Sequence, residues 1–188
     1  MTIALSAIVG FGGSIASGST FPGSPATNQF FNRTDIGGGM LFFYDGARWV
    51  SEQLFNLELG MIQGTYPQPL TATTGDFTAR AFPPLPGTDI YLLTYRATVF
   101  VNGGGSALSG SNKWVGDTHK YNSSATPTTI ATTTINSGAS STVRTFDTTI
   151  NALLTSSTFN LIESSWTKTG TPGGLFVWES ITYRVVAT

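Results

Sequence analysis

Residues 89–101, DIYLLTYRATVFV, decide the fold class of this chain. Every second position from residue 91 onward is apolar, and these positions are Tyr91, Leu93, Tyr95, Ala97, Val99 and Val101. The opposite face carries Thr94, Arg96 and Thr98. A period of two with one polar face is typical of an antiparallel strand that is buried on one side. The stretch therefore predicts a sheet with one face against a core.

The end of the chain, GGLFVWESITYRVVAT at residues 173–188, repeats this pattern. Its apolar face is formed by Leu175, Val177, Ile181, Tyr183 and Val185. Glu179 also falls on that face, which predicts either a β-bulge that shifts the register there or a carboxylate near the end of the sheet.

Shorter Thr-rich, β-branched segments lie between these two strands, at residues 113–115, 128–135, 142–148 and 158–166, with clusters of Gly, Ser or Asn between them. This spacing predicts an all-β, antiparallel β-sandwich, most simply a jelly roll. Residues 147–157, DTTINALLTSS, depart from the pattern. There Ile150, Leu153 and Leu154 have helical spacing after an Asp147 cap, so we expect a short helix.

Residues 37–55, GGGMLFFYDGARWVSEQLF, contain Asp45-Gly46 between two aromatic runs. Asp and Gly tolerate the positive φ of a type I′ turn, so the segment predicts a β-hairpin. Both faces of this hairpin carry aromatic residues, and an isolated two-stranded ribbon is marginal in water. We therefore expect the hairpin to lie on another surface.

The first thirty or so residues are rich in Gly and Ser and carry no charged side chain before Arg33. We interpret them as an extended arm that lies either on a neighbouring subunit or back on its own domain. Five prolines between residues 66 and 89 indicate an extended stretch, and they are Pro67, Pro69, Pro83, Pro84 and Pro86. We place the boundary near residue 65, between an attachment region at 1–65 and a sandwich domain at 66–188.

Charged residues make up only 10% of the 188 residues, and the formal net charge is −1. Such a surface lacks the electrostatic footprint of proteins that bind nucleic acid or anionic membranes. The chain has no cysteine, which excludes a disulfide framework and a thiolate metal site. We expect no cofactor, no nucleic-acid partner and no membrane partner.

The residues that could carry catalysis are few. His119 is the single histidine, and Asp117 could orient it, but we interpret it as a polar surface residue near Trp114 and Tyr121. Glycoside hydrolysis needs two carboxylates, and we expect Glu163 and Glu179 on neighbouring antiparallel strands. A packing role for them is favoured, so we predict no catalytic or metal-binding residue.

Aromatic side chains at strand ends or beside turns form the more informative class, since such rings stack on sugars or anchor interfaces. The candidate glycan-binding residues are Trp114, Tyr121, Trp166 and Trp178. The candidate interface residues are Phe11, Phe21, Phe30, Phe31, Phe43, Tyr44, Arg48 and Trp49.

Part of the chain resembles a short module of structural proteins of tailed bacteriophages. The matching elements are Pro22-Gly23-Ser24-Pro25, Phe31-Asn32-Arg33-Thr34-Asp35, Phe43-Tyr44-Asp45-Gly46 and Arg48-Trp49. The ending TPGGLFVWESITYRVVAT, residues 171–188, is similar to the closing hairpin of β-sandwich domains in phage fibres and capsid-surface proteins. This resemblance implies a virion protein with a β-sandwich fold.

Our first interpretation is a non-enzymatic decoration or cement protein on the outer surface of a virion, assembled in the host cytoplasm. Residues 1 to about 60 would attach it to the major capsid protein or other virion subunits, and we expect a homodimer or homotrimer. The alternative is a tail fibre or baseplate component whose sandwich tip binds host glycan. A third interpretation is a small glycan-active enzyme that uses Glu163 and Glu179.

Overall fold

The computed structural model describes residues 14–36, 38–63, 77–81, 88–103, 105–122, 124, 126–138, 141–155 and 159–187. All regular structure in these ranges is β, which confirms the predicted fold class. The strands are β1 (Ala16–Gly18), β2 (Phe30–Arg33), β3 (Met40–Tyr44), β4 (Trp49–Ser51), β5 (Phe55–Gln63), β6 (Phe77–Ala81), β7 (Thr88–Val101), β8 (Lys113–Asn122), β9 (Pro127–Ile135), β10 (Val143–Leu154), β11 (Phe159–Thr169) and β12 (Leu175–Ala187). None of the described segments forms a helix long and apolar enough to cross a bilayer.

The chain divides into two compact units, Met1–Gln53 and Leu54–Thr188. This division lies earlier than the expected boundary near residue 65. The reason is that β5, which follows Gln53 almost directly, pairs along most of its length with β12 and so belongs to the second unit.

The second unit is an eight-stranded jelly roll. One sheet has the order β5-β12-β7-β10 and the other has the order β6-β11-β8-β9, with every pair antiparallel. The first strand of the unit thus pairs with the last, and the second pairs with the next to last, which is the double Greek key of this fold. We refer to them as the first and second sheet. Residues from both sheets form one core, including Leu59, Leu92, Tyr95, Val99, Trp114, Ile135, Ile162, Trp166, Leu175 and Ile181.

The inward face of β7 changes phase along the strand. Tyr95, Ala97, Val99 and Val101 are buried as expected, but toward the start of the strand the buried residues are Ile90 and Leu92, not Tyr91 and Leu93. The register with β12 skips Leu93, since Thr182 pairs with Thr94 and Tyr183 pairs with Leu92. A bulge at this point therefore transfers the burial from odd to even positions.

The helix expected over residues 147–157 is wrong, because Val143–Leu154 forms strand β10. A register shift against β7 lies between Thr149 and Ala152, and Asn151 there has a φ of 51°. Ile150 and Leu154 keep the regular alternation of the strand and face the core, whereas Leu153 is 37% exposed. This outward leucine gives the sequence its helical spacing.

The first unit contains the predicted hairpin, in which β3 pairs with β4. The connection is a four-residue loop, 45–48, instead of the expected two-residue type I′ turn, and Gly46 is its only residue with positive φ. The Asp45 Oδ1 atom accepts hydrogen bonds from the backbone N–H groups of Ala47 and Arg48, both at 2.8 Å. The aspartate closes the wider loop with its side chain, a common device in turns.

Residues 14–30 of the expected arm lie on their own unit. Strand β1 pairs in parallel with β2, and β2 pairs with β3. The Phe21 ring stacks on Trp49 with 4.7 Å between centroids, and the guanidinium of Arg33 lies over Phe21 at 4.6 Å. This part of the arm therefore folds back on its own domain, whereas Phe11 lies outside the described residues.

Candidate functional site

The outward face of the first sheet presents an indole. Trp178 on β12 has 60% of its surface exposed. Its Nε1–H donates a hydrogen bond to the Glu58 carboxylate on β5, and the Asn56 amide donates to the other oxygen of that carboxylate at 2.6 Å. Because Glu58 is held from two sides, the indole is presented in one orientation.

A groove of about 380 Å³ lies on the same sheet, and its lining begins at Ser180, two positions after Trp178 on β12. It is lined by Leu54, Phe55, Asn56, Thr94, Arg96, Ser180 and Thr182. The register explains the grouping, since Ser180 pairs with Glu58 on one side and with Arg96 on the other. Ser180 also follows Trp178 by two positions, so both side chains leave the same face of β12. We call these lining residues together with Trp178 and Glu58 the Trp178 groove.

The charges around the Trp178 groove are paired. The Arg96 guanidinium donates to both oxygens of Asp147 on β10, at 2.7 and 3.0 Å. This pairing raises the pKa of Arg96 and lowers the pKa of Asp147. In the adjacent row of cross-strand partners, the hydroxyl oxygens of Thr98 and Thr145 are 3.2 Å apart. The face is therefore rich in hydroxyl groups and carries little unpaired charge.

A short row of apolar side chains lies on the same face, adjacent to the row of cross-strand partners that contains Trp178. The rings of Phe100 and Phe176 have centroids 5.9 Å apart, and Val143, which pairs with Phe100, is 65% exposed. These residues offer contact surface without hydrogen-bonding groups.

A second polar group lies inside the jelly roll. Glu179 is in the middle of β12 and fully buried. A register shift does occur beside it, but the extra residue is Leu59 of β5, so Glu179 keeps its inward direction. Its Oε1 accepts hydrogen bonds from the Tyr95 hydroxyl, from Ser164 Oγ at 2.5 Å and from Trp166 Nε1 at 3.1 Å. Among the described residues its Oε2 has no hydrogen-bond partner.

This buried cluster shifts two acid–base equilibria. Burial raises the pKa of Glu179, and the three donors only partly oppose that shift. Burial and the nearby carboxylate raise the pKa of Tyr95 well above the usual range of a phenol. Since the cluster is closed to solvent, its role is to connect the two sheets, not to meet a ligand.

Two of the four residues expected to bind glycan are in the core. Trp114 is 2% exposed and Trp166 is fully buried, because both lie on the inward face of the second sheet. Trp114 Nε1 donates to the Gly173 carbonyl at 2.9 Å, so both indoles are satisfied internally. Neither ring has a face on which a sugar could stack, which corrects that expectation. Tyr121 is half-buried and donates to Glu163 at 2.8 Å.

The expectation that Glu163 and Glu179 lie on neighbouring strands is wrong. Glu163 is on β11 in the second sheet, and Glu179 is on β12 in the first sheet. On β11 the buried residues are Ile162, Ser164 and Trp166, so Glu163 points away from the core that encloses Glu179. The two carboxyl groups therefore lie on opposite sides of the second sheet and do not face a common groove.

His119 lies on the outward face of the second sheet, where Glu163 is its cross-strand partner. Its ring centroid is 6.3 Å from that of Tyr121, and among the described residues its Nδ1 has no hydrogen-bond partner. Asp117 does not orient it, because that carboxylate accepts a hydrogen bond from Thr132 at 2.6 Å. Within the described ranges no three His, Cys, Asp or Glu side chains are grouped as a metal site requires.

The candidate interface residues divide between the two faces of the first unit. Phe31 and Trp49 are buried, and Phe21 packs on both of them. On the opposite face, Phe30 and Phe43 form a ring pair at 6.1 Å and are partly exposed. Two further candidates lie at the hairpin loop: Tyr44 precedes it, and Arg48 is its last residue and approaches Asp45 to 3.6 Å.

No protein-family model matches the chain, and a search of curated proteins found no significant match. Among solved structures, the chain is similar to a Clostridium thermocellum xylanase 10B fragment with CBM22-1 and GH10 modules (15% identity, TM-score 0.36, 72% of this chain and 26% of that chain covered). It is also similar to structures of infectious bursal disease virus, of the Gx strain (11% identity, TM-score 0.35, 88% and 40% covered) and of the Gt strain (8% identity, TM-score 0.30, 87% and 53% covered). The chain thus spans between a quarter and about half of those chains. Identities and TM-scores this low carry no argument about function.

Proposed function

We propose that the protein is a non-enzymatic virion structural protein that binds the outer capsid surface and stabilises it as a decoration protein. The observation that carries the proposal is the ring pair of Phe30 and Phe43, which is partly exposed on the face of the first unit opposite Phe21. The other face of that unit is already closed by Phe21. Partly exposed aromatic pairs of this kind are typical anchors of protein interfaces.

The resemblance to phage structural proteins supports a virion as the location, and the structure gives the shared motif a physical meaning. Arg33, Phe21 and Trp49 form one continuous stack, and Asp45 closes the hairpin loop. The motif thus specifies a small aromatic sheet that can be attached to a neighbour. The separation of Glu163 from Glu179 supports a binding role over hydrolysis of glycans.

The proposal is tested by counting copies of the chain in purified particles by quantitative mass spectrometry against the major shell protein. A decoration protein gives a copy number comparable to that of the shell protein. A far lower number would identify a tail fibre or baseplate component, and absence from the particle would refute a virion role.

The attachment surface is tested by rebinding the purified protein to particles that lack it, followed by sedimentation. We expect the variant Phe30→Ser/Phe43→Ser to remain in the supernatant, whereas Thr34→Ala, an exposed change in the same unit, sediments with the particles. Equal sedimentation of both variants would show that attachment uses another surface.

A homodimer or homotrimer remains part of the proposal, and a mass by light scattering that stays monomeric at all concentrations would contradict it.

A further inference from the structure

We propose that the Trp178 groove is a binding site for a neutral oligosaccharide. The site lies on the outward face of the first sheet and is formed by residues of β5, β7 and β12 together with Leu54. It does not depend on the proposed capsid attachment, which uses residues of the first unit.

The first argument is the state of the indole. Of the four tryptophans, Trp49, Trp114 and Trp166 are at most 6% exposed, while Trp178 is 60% exposed. Together with Val143 and the partly exposed rings of Phe100 and Phe176, this indole forms a larger apolar patch than a single surface residue does, and such patches are typical of binding sites. The hydrogen bond from Trp178 to Glu58 fixes the ring before a ligand arrives, which lowers the entropy that binding would cost.

The second argument is the chemistry of the lining. Ser180, two positions from Trp178, supplies a hydroxyl group, and Thr94 and Thr182 supply two more in the row beyond it, where Asn56 supplies an amide. An apolar ring face followed by a line of such groups complements an oligosaccharide, whose sugar units have an apolar face of C–H bonds and a rim of hydroxyls. The volume of about 380 Å³ lies within the usual range of small-molecule sites.

The third argument is charge. Arg96 is neutralised by Asp147, and Glu58 is engaged by Asn56 and Trp178. A strongly acidic ligand would find no unpaired cation in this lining, and a basic ligand would have to compete with Asn56 and Trp178 for Glu58. The lining therefore fits an uncharged ligand. A protein partner would use the apolar row of Phe100, Phe176 and Val143 as well, and this row lies outside the lining of the groove.

The experiment measures acrylamide quenching of tryptophan fluorescence in the full chain, with cellohexaose, maltohexaose and mannohexaose added separately. Because only one indole is open to solvent, quenching reports on Trp178. We expect at least one of these saccharides to protect the fluorescence at saturation, and isothermal titration to give its affinity.

Three variants make the test specific. Trp178→Ala is expected to weaken binding by about 10- to 30-fold, the usual cost of removing an aromatic anchor, while Trp178→Phe retains part of the affinity. Val143→Ala, an equally exposed change on the same sheet face, leaves the affinity unchanged. Circular dichroism shows whether each variant is folded.

The proposal is overturned if none of the three saccharides protects the fluorescence, or if Trp178→Ala binds as tightly as the natural sequence. An equal loss in Val143→Ala would also overturn it, because the whole apolar row and not the indole would then be the contact. Since the assay contains no virus particles, its failure leaves the capsid proposal untouched, and failure of particle attachment leaves this one untouched.

Discussion

Glu179 makes the sharpest prediction about stability, because a single buried oxygen accepts three hydrogen bonds from side chains on two other strands. Tyr95 is on β7, and Ser164 and Trp166 are on β11 and reach Glu179 from the opposite sheet. Two substitutions separate the charge from the acceptor. Glu179→Gln keeps an acceptor oxygen and removes the charge, whereas Glu179→Leu removes both at similar volume.

The magnitude follows from the donors that lose their acceptor. In Glu179→Leu three buried donors are unpaired, and each costs about 1–3 kcal/mol. The loss of at least about 3 kcal/mol is a large part of the ~5–15 kcal/mol that stabilises an ordinary domain. Glu179→Gln keeps the three bonds and exchanges one unpartnered polar atom for another, so its stability stays within about 2 kcal/mol of the natural sequence.

The pH dependence has a definite sign. Burial raises the folded-state pKa of Glu179 above its ordinary value, so the folded protein binds this proton more readily than the unfolded chain. The contribution to stability is therefore present at low pH and is lost as the pH rises from the ordinary carboxyl range through the folded-state pKa. Tyr95, the other titratable group in the cluster, has a pKa raised further into the alkaline range and stays protonated throughout.

The assay is urea unfolding of the three proteins between pH 4 and pH 8, followed by circular dichroism. We expect the difference in unfolding free energy between Glu179→Gln and the natural sequence to shift in favour of the glutamine variant as the pH rises. Subtraction removes the common contribution of exposed pairs such as Arg96–Asp147. A Glu179→Leu variant as stable as the natural sequence, or a pH-independent difference for Glu179→Gln, would refute the reasoning.

Two further predictions concern packing. Gly116→Ala is expected to destabilise the second unit by about 1–3 kcal/mol in thermal unfolding, because a Cβ there would overlap the buried Trp166 ring. Gly110→Ala, with open space around the Cβ, serves as the neutral control. Equal melting temperatures of the two variants would contradict this packing. Phe21→Ala is expected to make residues 14–53 susceptible to limited proteolysis, because Trp49 and Arg33 lose the ring between them. Ser24→Ala, an exposed change in the same turn, is expected to leave the rate of proteolysis unchanged. An unchanged rate in Phe21→Ala would show that the stack is dispensable.

Local patterns in the sequence determined a large part of this protein. The alternation in residues 89–101 and 173–188 identified strands β7 and β12, because burial on one side of a sheet imposes a period of two. Asp45-Gly46 located the hairpin, because few residues tolerate a tight loop. These signals are local, since each depends on the conformation of a few consecutive residues.

The effects of bulges and of exposed apolar side chains on the pattern of burial were beyond the reach of the sequence. Leu153 on the outward face of β10 made that strand look helical, and the bulge at Leu93 moved burial from Tyr91 to Leu92. A one-residue insertion reverses every later side chain, and whether it occurs depends on the neighbouring strand, which periodicity does not reveal.

The candidate site required the tertiary structure for the same reason. Trp178 and Trp166 have similar sequence surroundings, yet one is exposed and the other is in the core. Only the jelly-roll strand order places Glu58 and Ser180 beside each other, 122 positions apart, and sends Glu179 inward to Tyr95. The sequence alone determined many of the strands, whereas the pairing of distant strands decided which side chains meet, because long-range contacts are set by burial of the whole core and leave no local pattern.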